Sequence, residues 1–322
     1  MNVRAYARTA DAWERAIRVV PDGASRVWHH ELMGRTLSLV RQLLAGSILA
    51  IAVHGADAQM QPSLGGYAVL GIDSVRVAPG TRVQSGAIGA TAGDVRLAPR
   101  TSVAGSVVAD TVHVGRSTRV GRLFCRIVSG GAFGPGVAGG PAVGGAPTPG
   151  CLALATPIVA PELLVPVAGS PGTDDLVIPP RTGSAPVSAG SFGAVSVGKG
   201  SLLQLAGGAY QFRSIQLKRA ARLVCLDECR IGVAEGIRLG PAAQLGAAQG
   251  LRPDRARVDV AAAGGQLAFR AGPHAVVAAT IFAPTGNVLL GPDGDYRGAF
   301  VGRAVQVRSR SHVRETSALA LP

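Results

Sequence analysis

The sequence is poor in aromatic and charged residues. Only 4% of its 322 residues are aromatic and 16% are charged, with three Met and two Trp. A mainly helical enzyme normally carries more Glu, Lys and Leu, so this composition argues against one. Gly and Pro are abundant instead, with 45 and 21 residues. Many Gly, Val and Ala with few aromatics are typical of short strands joined by tight turns.

Acidic residues are also scarce relative to basic ones. The chain has 19 Asp and Glu but 32 Lys and Arg, which gives a net charge of +13. Residues 59–322 hold 25 basic and 14 acidic residues and keep a net charge of +11. Such an excess favours attraction to an anionic polymer or a membrane surface, although it is also compatible with a merely solvated basic face. Because no basic run is dense and stacking aromatics are few, we do not expect a nucleic-acid partner.

A signal peptide is predicted at residues 33–58, MGRTLSLVRQLLAGSILAIAVHGADA. It has a basic start, an apolar run over 43–53 and an A-x-A cleavage site before Gln59, with Ala58 as the last residue removed. The apolar run is shorter than the ~20 residues that span a membrane. The alternative is a buried core helix. Residues 1–32 then form an upstream extension, with Met33 as the true start, and we expect a secreted, cell-surface or periplasmic protein.

The chain has only four cysteines, all after the predicted cleavage site: Cys125, Cys151, Cys225 and Cys229. An even number in an exported chain favours disulfides, and sequence proximity suggests Cys125–Cys151 and Cys225–Cys229. The second pair requires a bend, because residues four apart on a straight strand are about 13 Å apart. A zinc site made of all four is the alternative, but C-x3-C is poor zinc spacing. We therefore expect no metal and no cofactor.

A repeat runs through both halves of the chain: two apolar residues flank one variable residue, and a third apolar residue follows six positions later. Consecutive copies start 17 to 22 residues apart, except across one break and one longer step. The copies are Val75-Arg76-Val77 with Val83, Val95-Arg96-Leu97 with Val103, Val112-His113-Val114 with Val120, Val195-Ser196-Val197 with Leu203, Ile215-Gln216-Leu217 with Leu223, Ile237-Arg238-Leu239 with Leu245, a looser Leu267-Ala268-Phe269 with Val276, Val288-Leu289-Leu290 with Tyr296, and Val305-Gln306-Val307 with Val313.

This pattern predicts an all-β fold, a right-handed parallel β-helix (solenoid) with about nine or more coils. Alternation places the flanking residues on one side of a short strand, and small turn formers separate them from the next inward residue. Each repeat is then one coil, and stacked coils bury a continuous apolar column. A β-sandwich of short strands also explains the alternation, but it does not explain the repeated six-residue offset.

The repeat divides the chain after the signal peptide into three parts. We expect N-terminal solenoid coils over 59–125, a Gly/Pro-rich loop and linker over 126–190, and C-terminal coils over 191–322. Within the linker, the stretch 130–150 is of low complexity. The runs 163–167 and 176–178 are candidates for isolated strands that close a coil.

The two blocks resemble two kinds of bacterial sequence. Residues 67–124 are similar to bactofilin-like, polymer-forming solenoids, in which V-x-L-x-x-x-x-x-V phrases recur. Residues 190–316 resemble the uncharacterised surface solenoid domain found in some PilX-type pilus accessory proteins, through GSFGAVSV, GGAYQFRSIQL, ATIFAPTGNVLL and GAFVGRAVQV. The resemblance implies an extracellular β-helix without an established activity. No prepilin leader accompanies it, which argues against incorporation into a pilus.

Residues for catalysis are sparse, so we expect no enzyme and name no catalytic residue. Exported β-helices that are polysaccharide lyases or hydrolases need carboxylates converging on one face. The close acidic pairs here are Asp174-Asp175, Asp227-Glu228 and Asp293-Gly294-Asp295, and the last is first of all a turn. No G-x-S-x-G or H-E-x-x-H motif is present. A polysaccharide-active enzyme stays open as an alternative.

The variable residue of each triplet is predicted to face outward. Arg76 and Arg96 then lie on successive coils, His113 follows them, and Arg238 lies further along. Stacked cations repel unless an anion is shared between them, so this edge is a candidate binding face for phosphate or carboxylate polymers. We predict an exported structural or adhesive protein that binds an anionic glycan or lipopolysaccharide. A self-assembling scaffold is the second alternative, because exposed solenoid ends can pair.

Overall fold

The computed structural model of the protein describes residues 66–130, 151–152, 169–262 and 264–316. The predicted signal peptide, its cleavage site and the candidate strand 163–167 lie outside these residues. The described chain is nearly all strand, and its only described helix is one 3-10 turn, Pro253–Arg255. The predicted all-β class is therefore confirmed.

The strands are short and follow one another along the chain. They are β1 (Tyr67–Val77), β2 (Arg82–Ser85), β3 (Ala87–Ala90), β4 (Asp94–Leu97), β5 (Ser102–Val114), β6 (Arg119–Gly130), β7 (Leu176–Ile178), β8 (Gly190–Val197), β9 (Leu202–Leu205), β10 (Gly208–Leu217), β11 (Arg222–Cys225), β12 (Cys229–Leu239), β13 (Gln244–Ala247), β14 (Ala256–Val260), β15 (Leu267–Arg270), β16 (Val276–Ala278), β17 (Thr280–Ala283), β18 (Asn287–Leu290), β19 (Asp295–Arg297), β20 (Phe300–Val307) and β21 (His312–Arg314).

These strands form one coiled sheet, a parallel β-solenoid of about 11 turns. Each turn has three faces. In the turn that begins at Tyr67, face C holds residues 67–71, face A holds 74–77 and face B holds 82–85. Strand pairs join the same face of neighbouring turns, with parallel register, as in Val75 opposite Val95. The predicted solenoid is confirmed, and so is the expected strand at residues 176–178.

The order of the turns along the rod differs from their order in the chain. We number the coils along the rod; coils 1 to 7 are residues 176–187, 190–205, 208–225, 229–247, 256–278, 280–297 and 300–314, and coils 8 to 11 are 67–85, 87–103, 106–120 and 122–130. The last C-terminal coil thus stacks directly on the first N-terminal coil. Strand β20 pairs with β1 from Val69–Phe300 to Val77–Val307, and β21 pairs with β2. We call this junction the seam.

The core of the rod is the column that the repeat predicts. Val75, Val77 and Val83 are at most 2% exposed, and the equivalent positions in the other predicted copies are also buried, except Leu267 and Val276 of the looser copy. Coils 2 to 10 each contribute such a buried triplet, and stacking removes these side chains from water. The core therefore runs without interruption through the seam.

The corner between faces A and B has the same backbone conformation in ten successive coils. One residue of each corner has positive φ, and eight of the ten are not glycine: Arg181, Ala220, Ala242, His274, Asp293, Arg310, Arg100 and Ser117, beside Gly200 and Gly80. The N–H of this left-handed residue donates to a carbonyl of the next coil. The acceptor is the residue just before the left-handed residue of that coil, as in the 2.8 Å bond from Ala242 to Pro273. The residue before the left-handed one contributes only its carbonyl to these hydrogen bonds between coils, so proline is tolerated at that position.

Candidate functional site

The outward residues of face A form a single ladder along the rod. In coil order these residues are Val177, Ser196, Gln216, Arg238, Arg270, Leu289, Gln306, Arg76, Arg96, His113 and Ser129. The structure thus places Arg76, Arg96 and His113 on three successive coils, as the triplets predict. Because neighbouring strands are about 4.8 Å apart, these side chains start from closely spaced points on one face.

One triplet was assigned the wrong register. Ala268, expected to face outward, is buried, whereas Arg270 is exposed and lies between Arg238 and Leu289 in the ladder. The copy is Phe269-Arg270-Ala271 with Val277, which restores the regular six-residue offset. The sequence signal was present but weak, because alanine takes the second inward position in this coil.

A shallow groove of about 520 Å³ follows face A from coil 7 to coil 11. Arg76, Arg96 and His113 line it, together with Gln306 and Arg308 from coil 7. Arg308 was not predicted as a site residue, because it is the corner residue that follows the last position of its triplet. The groove crosses the seam, so residues from both ends of the described sequence form one site.

The cations of the groove differ in their partners. The Nε of Arg96 lies 2.5 Å from Oδ2 of Asp94, and the same oxygen lies 4.0 Å from Nε2 of His113. The other ring nitrogen of His113 is 2.5 Å from Oγ of Ser129. Within the described ranges, Arg76 and Arg308 have no carboxylate within 4.0 Å, whereas nine other arginines do. Arg76 and Arg308 are therefore the positions where an external anion meets least competition.

Arg238 does not belong to this groove. It lies on coil 4, four coils from Arg76, in a separate depression with Gln216, Glu235 and Gln266. Arg270 lines a third depression on coils 5 to 7, which also contains Arg308. Three of the four predicted binding residues thus come together, and Arg238 lies on the same face further along the rod.

In each of the three acidic pairs considered as catalytic candidates, at least one carboxylate is paired with an arginine, as Asp175 is with Arg213. Asp293 accepts two hydrogen bonds from Arg310, at 2.6 and 2.9 Å, and these bonds lower the pKa of that carboxyl. Asp295 is bonded to Arg297, and Glu228 pairs with Arg255. In the part of the chain that the structure describes, no cluster of three His, Cys, Asp or Glu side chains is arranged to hold a metal ion. The absence of catalytic residues stays a prediction.

Both cysteine pairs lie at disulfide distance, as the sequence suggests. The Cα atoms are 5.4 Å apart in Cys125–Cys151 and 6.0 Å apart in Cys225–Cys229. The bend that the second pair requires is the corner between β11 and β12, and both of its cysteines are fully buried. The first pair fixes Leu152 beside Phe124 on the last coil. Disulfides are compatible with a location outside the cytoplasm.

Comparisons with protein-family models, curated proteins and solved structures gave no match. The resemblance to bactofilin-like and PilX-type sequences is therefore not confirmed, whereas the β-solenoid itself is. Among the described residues, no helix is long and apolar enough to cross a membrane.

Proposed function

We propose that this protein is an exported structural or adhesive element that binds an anionic polymer along face A. The observation that carries the proposal is the groove in which Arg76, Arg96, His113 and Arg308 follow one another on coils 7 to 10. The predicted signal peptide and the two cysteine pairs support a site of action outside the cytoplasm.

The direction of the groove favours a polymer over a small ligand. Its cations are spread along the rod axis, and each is too exposed for a single contact to hold a ligand tightly. A chain with repeated carboxylates or phosphates engages several of them at once, so weak contacts add up. Arginine is suited to binding such a chain because its planar guanidinium can donate two parallel hydrogen bonds to a carboxylate or to a phosphate. The proposed partner is an anionic glycan or lipopolysaccharide of the cell envelope.

The test is retention of the purified chain on immobilised alginate, which carries carboxylates, and on polyphosphate, with neutral dextran as the blank. The wild type is expected to bind both anionic matrices and to elute as salt rises. Arg76→Ser/Arg96→Ser is expected to lose about tenfold in affinity at low salt, in line with two partly screened charge-assisted contacts.

The matched control is Arg222→Ser/Arg230→Ser. It removes two charges from exposed arginines of other faces, and neither arginine forms an ion pair within 4.0 Å with a described carboxylate. The control is expected to bind like the wild type. Equal losses in both double variants mean that net charge alone drives binding, and the assignment to face A is then wrong.

The same incubation distinguishes the enzyme alternative. Newly formed chain ends in the alginate show a polysaccharide-active enzyme and direct attention to Asp174-Asp175 and Asp227. Retention that leaves the chains intact supports the binding protein.

A self-assembling scaffold is the second candidate, and the seam favours it. At the seam, coil 7 stacks on coil 8 although no adjoining peptide bond connects them. Coil-on-coil association in this fold therefore does not need chain continuity. Filaments in electron micrographs, together with absence of retention on both anionic matrices, indicate scaffolding in place of polymer binding.

A further inference from the structure

The two long edges of face A differ in charge. At the edge toward face C, three exposed arginines each pair with a carboxylate of another coil. The pairs are Arg126–Asp110, Arg213–Asp175 and Arg303–Asp73, with N–O distances of 2.9, 2.9 and 2.7 Å. The charges along this edge are therefore largely balanced within the protein itself.

The opposite edge, which is the corner between faces A and B, is basic. In each of coils 1 to 10 it consists of the left-handed residue and the two residues before it. These positions hold eight Lys and Arg but only one carboxylate, Asp293, which pairs with Arg310. Four of the cations lie on coils 7 to 10 beside the groove, and the other four lie on coils 1 to 3. We call this second group the end patch: Arg181, Lys199, Lys218 and Arg219.

The end patch repeats the chemistry of the groove at the other end of the rod. All four of its residues are exposed, and among the described residues none of them has a carboxylate within 4.0 Å. Lys218 is the equivalent of Arg308, because each follows the last residue of its triplet and donates its N–H to the previous coil, at 3.0 and 2.9 Å. Unpaired cations on three successive coils repel one another, so an anion shared between them would relieve an unfavourable arrangement.

Further cations lie between the end patch and the groove. The corners of coils 4 and 5 have no Lys or Arg, but the outward residues of face A on these coils are Arg238 and Arg270. Arg270 lines the same depression as Arg308. Coil 6 is the gap in the series, because Leu289 and Asp293 occupy the corresponding positions. This side of the rod therefore carries outward cations both before and after coil 6.

We propose that the end patch is a second site for the anionic polymer, and that one polymer chain lies lengthwise on this edge from coil 10 to coil 1. The inference rests on the proposed function, and it specifies the ligand as a linear polyanion long enough to reach both sites. Nine coil spacings of about 4.8 Å give about 43 Å for the whole edge, whereas the groove cations of coils 7 to 10 cover about 14 Å. A chain held at one site reaches the other without a second diffusional encounter, so long chains bind more tightly than short ones.

Alginate oligomers of two lengths test the second site. One has an extended length of about 15 Å, too short to span the roughly 19 Å between coils 3 and 7, and the other, of about 45 Å, spans the whole edge. In fluorescence anisotropy with end-labelled oligomers at low salt, the wild type is expected to bind the longer oligomer about 100-fold more tightly than the shorter one. Lys218→Ser/Arg219→Ser is expected to weaken binding of the longer oligomer about tenfold and of the shorter one by about twofold at most. At saturation, one longer oligomer is expected per protein chain.

The matched control is Arg230→Ser/Arg314→Ser. It removes two charges from exposed arginines on faces C and B, away from this edge, and is expected to bind both oligomers within about twofold of the wild type. If Lys218→Ser/Arg219→Ser binds the longer oligomer as the control does, the second site is wrong while the proposed function stands. Two longer oligomers per chain would also refute a single lengthwise ligand. Failure of the wild type to bind either oligomer would overturn the proposed function together with this inference.

A variant that gains affinity guards against a simple folding defect. Asp293→Asn removes the carboxylate at the coil 6 gap and frees Arg310, and asparagine tolerates the left-handed conformation of this position. It is expected to bind the longer oligomer about threefold more tightly than the wild type. Its control is Asp295→Asn on face B of the same coil, which likewise frees an arginine, Arg297. Equal gains in the two variants would show that net charge, and not this edge, sets the affinity, and would overturn the lengthwise route.

Discussion

Tyr67 illustrates how burial on the outer side of the sheet changes the chemistry of one side chain. It is 2% exposed, and this burial raises the pKa of its phenol to about 12 from an ordinary value near 10. The neutral phenol is thus the form that fits the folded chain. Burial also raises the pKa of Tyr296, whose hydroxyl donates to the carbonyl of Gly291 at 2.9 Å. Both tyrosines make the fold sensitive to alkaline pH, although no ionic bond is broken.

Tyr67→Phe is expected to reduce this sensitivity. A raised folded-state pKa contributes stability that is fully present below pH ~10 and is lost as pH rises toward 12. Between these limits, the free energy of unfolding of the wild type falls because the unfolded chain releases the phenolic proton more readily. The variant lacks that proton, so its stability falls less steeply when urea unfolding is measured at pH 9, 10 and 11. Parallel slopes for the two proteins would show that Tyr67 does not titrate in this way.

At the level of the element, the corner between faces A and B is the most regular part of the fold. Its left-handed residue recurs in ten coils, yet glycine fills it in only two of them. A left-handed residue other than glycine costs about 1–2 kcal/mol. A hydroxyl that follows the left-handed residue supports the corner in several coils. Ser201 Oγ, for example, donates to the carbonyl of Pro179, and Thr81 Oγ1 donates to that of Arg308. These side-chain bonds explain why Thr81, Thr101, Thr118, Ser201 and Ser311 are buried.

Two neighbouring alanines of one corner are expected to respond in opposite ways to glycine. Ala242 is exposed and left-handed, so Ala242→Gly relieves strain and should raise the free energy of unfolding by about 0.5–1 kcal/mol after the entropy gain of the unfolded chain is subtracted. Ala243 is buried and lacks positive φ, so Ala243→Gly should lower it by about 1 kcal/mol or more. Urea unfolding of both variants measures the difference. A loss at both positions would contradict the account of the corner.

The sequence was sufficient to predict the coils, because a buried β-branched or leucine side chain recurs at fixed offsets on the inward side. The same pattern predicted that Arg76, Arg96 and His113 face outward, since the residue between two inward positions of a strand must point to the other side. It failed at Ala268, where a small inward alanine at position 271 hid the register. It also missed Arg308, because corner residues join the groove only through stacking, and stacking order is not encoded in the local pattern.

At the scale of the whole molecule, the candidate site depends on the order of the coils. Gln306 and Arg308 come from coil 7, and Arg76 comes from coil 8, so the groove exists only when the C-terminal coils stack on the N-terminal ones. Polar contacts support this junction: Arg303 Nε lies 2.7 Å from Oδ2 of Asp73, and Thr81 bonds to the carbonyl of Arg308. Assembly of the rod and assembly of the proposed binding face are therefore the same event.

The coil order leads to a direct prediction about which positions meet. Ser74 and Ala304 are register partners across the seam, and neighbouring strands are about 4.8 Å apart, within the Cα separation of disulfides. Ser74→Cys/Ala304→Cys should therefore form a disulfide in the native chain and raise the free energy of unfolding by up to about 4 kcal/mol, because the closed loop is long.

The control pair is Ile127→Cys/Asp175→Cys. These residues occupy the equivalent face A positions of coils 11 and 1, which would meet if the blocks stacked in chain order. Non-reducing electrophoresis and peptide mass spectrometry should detect the first link and not the second. The reverse pattern would mean that the N-terminal coils lie at the other end of the rod, and the groove that joins Arg76 to Arg308 would then not exist.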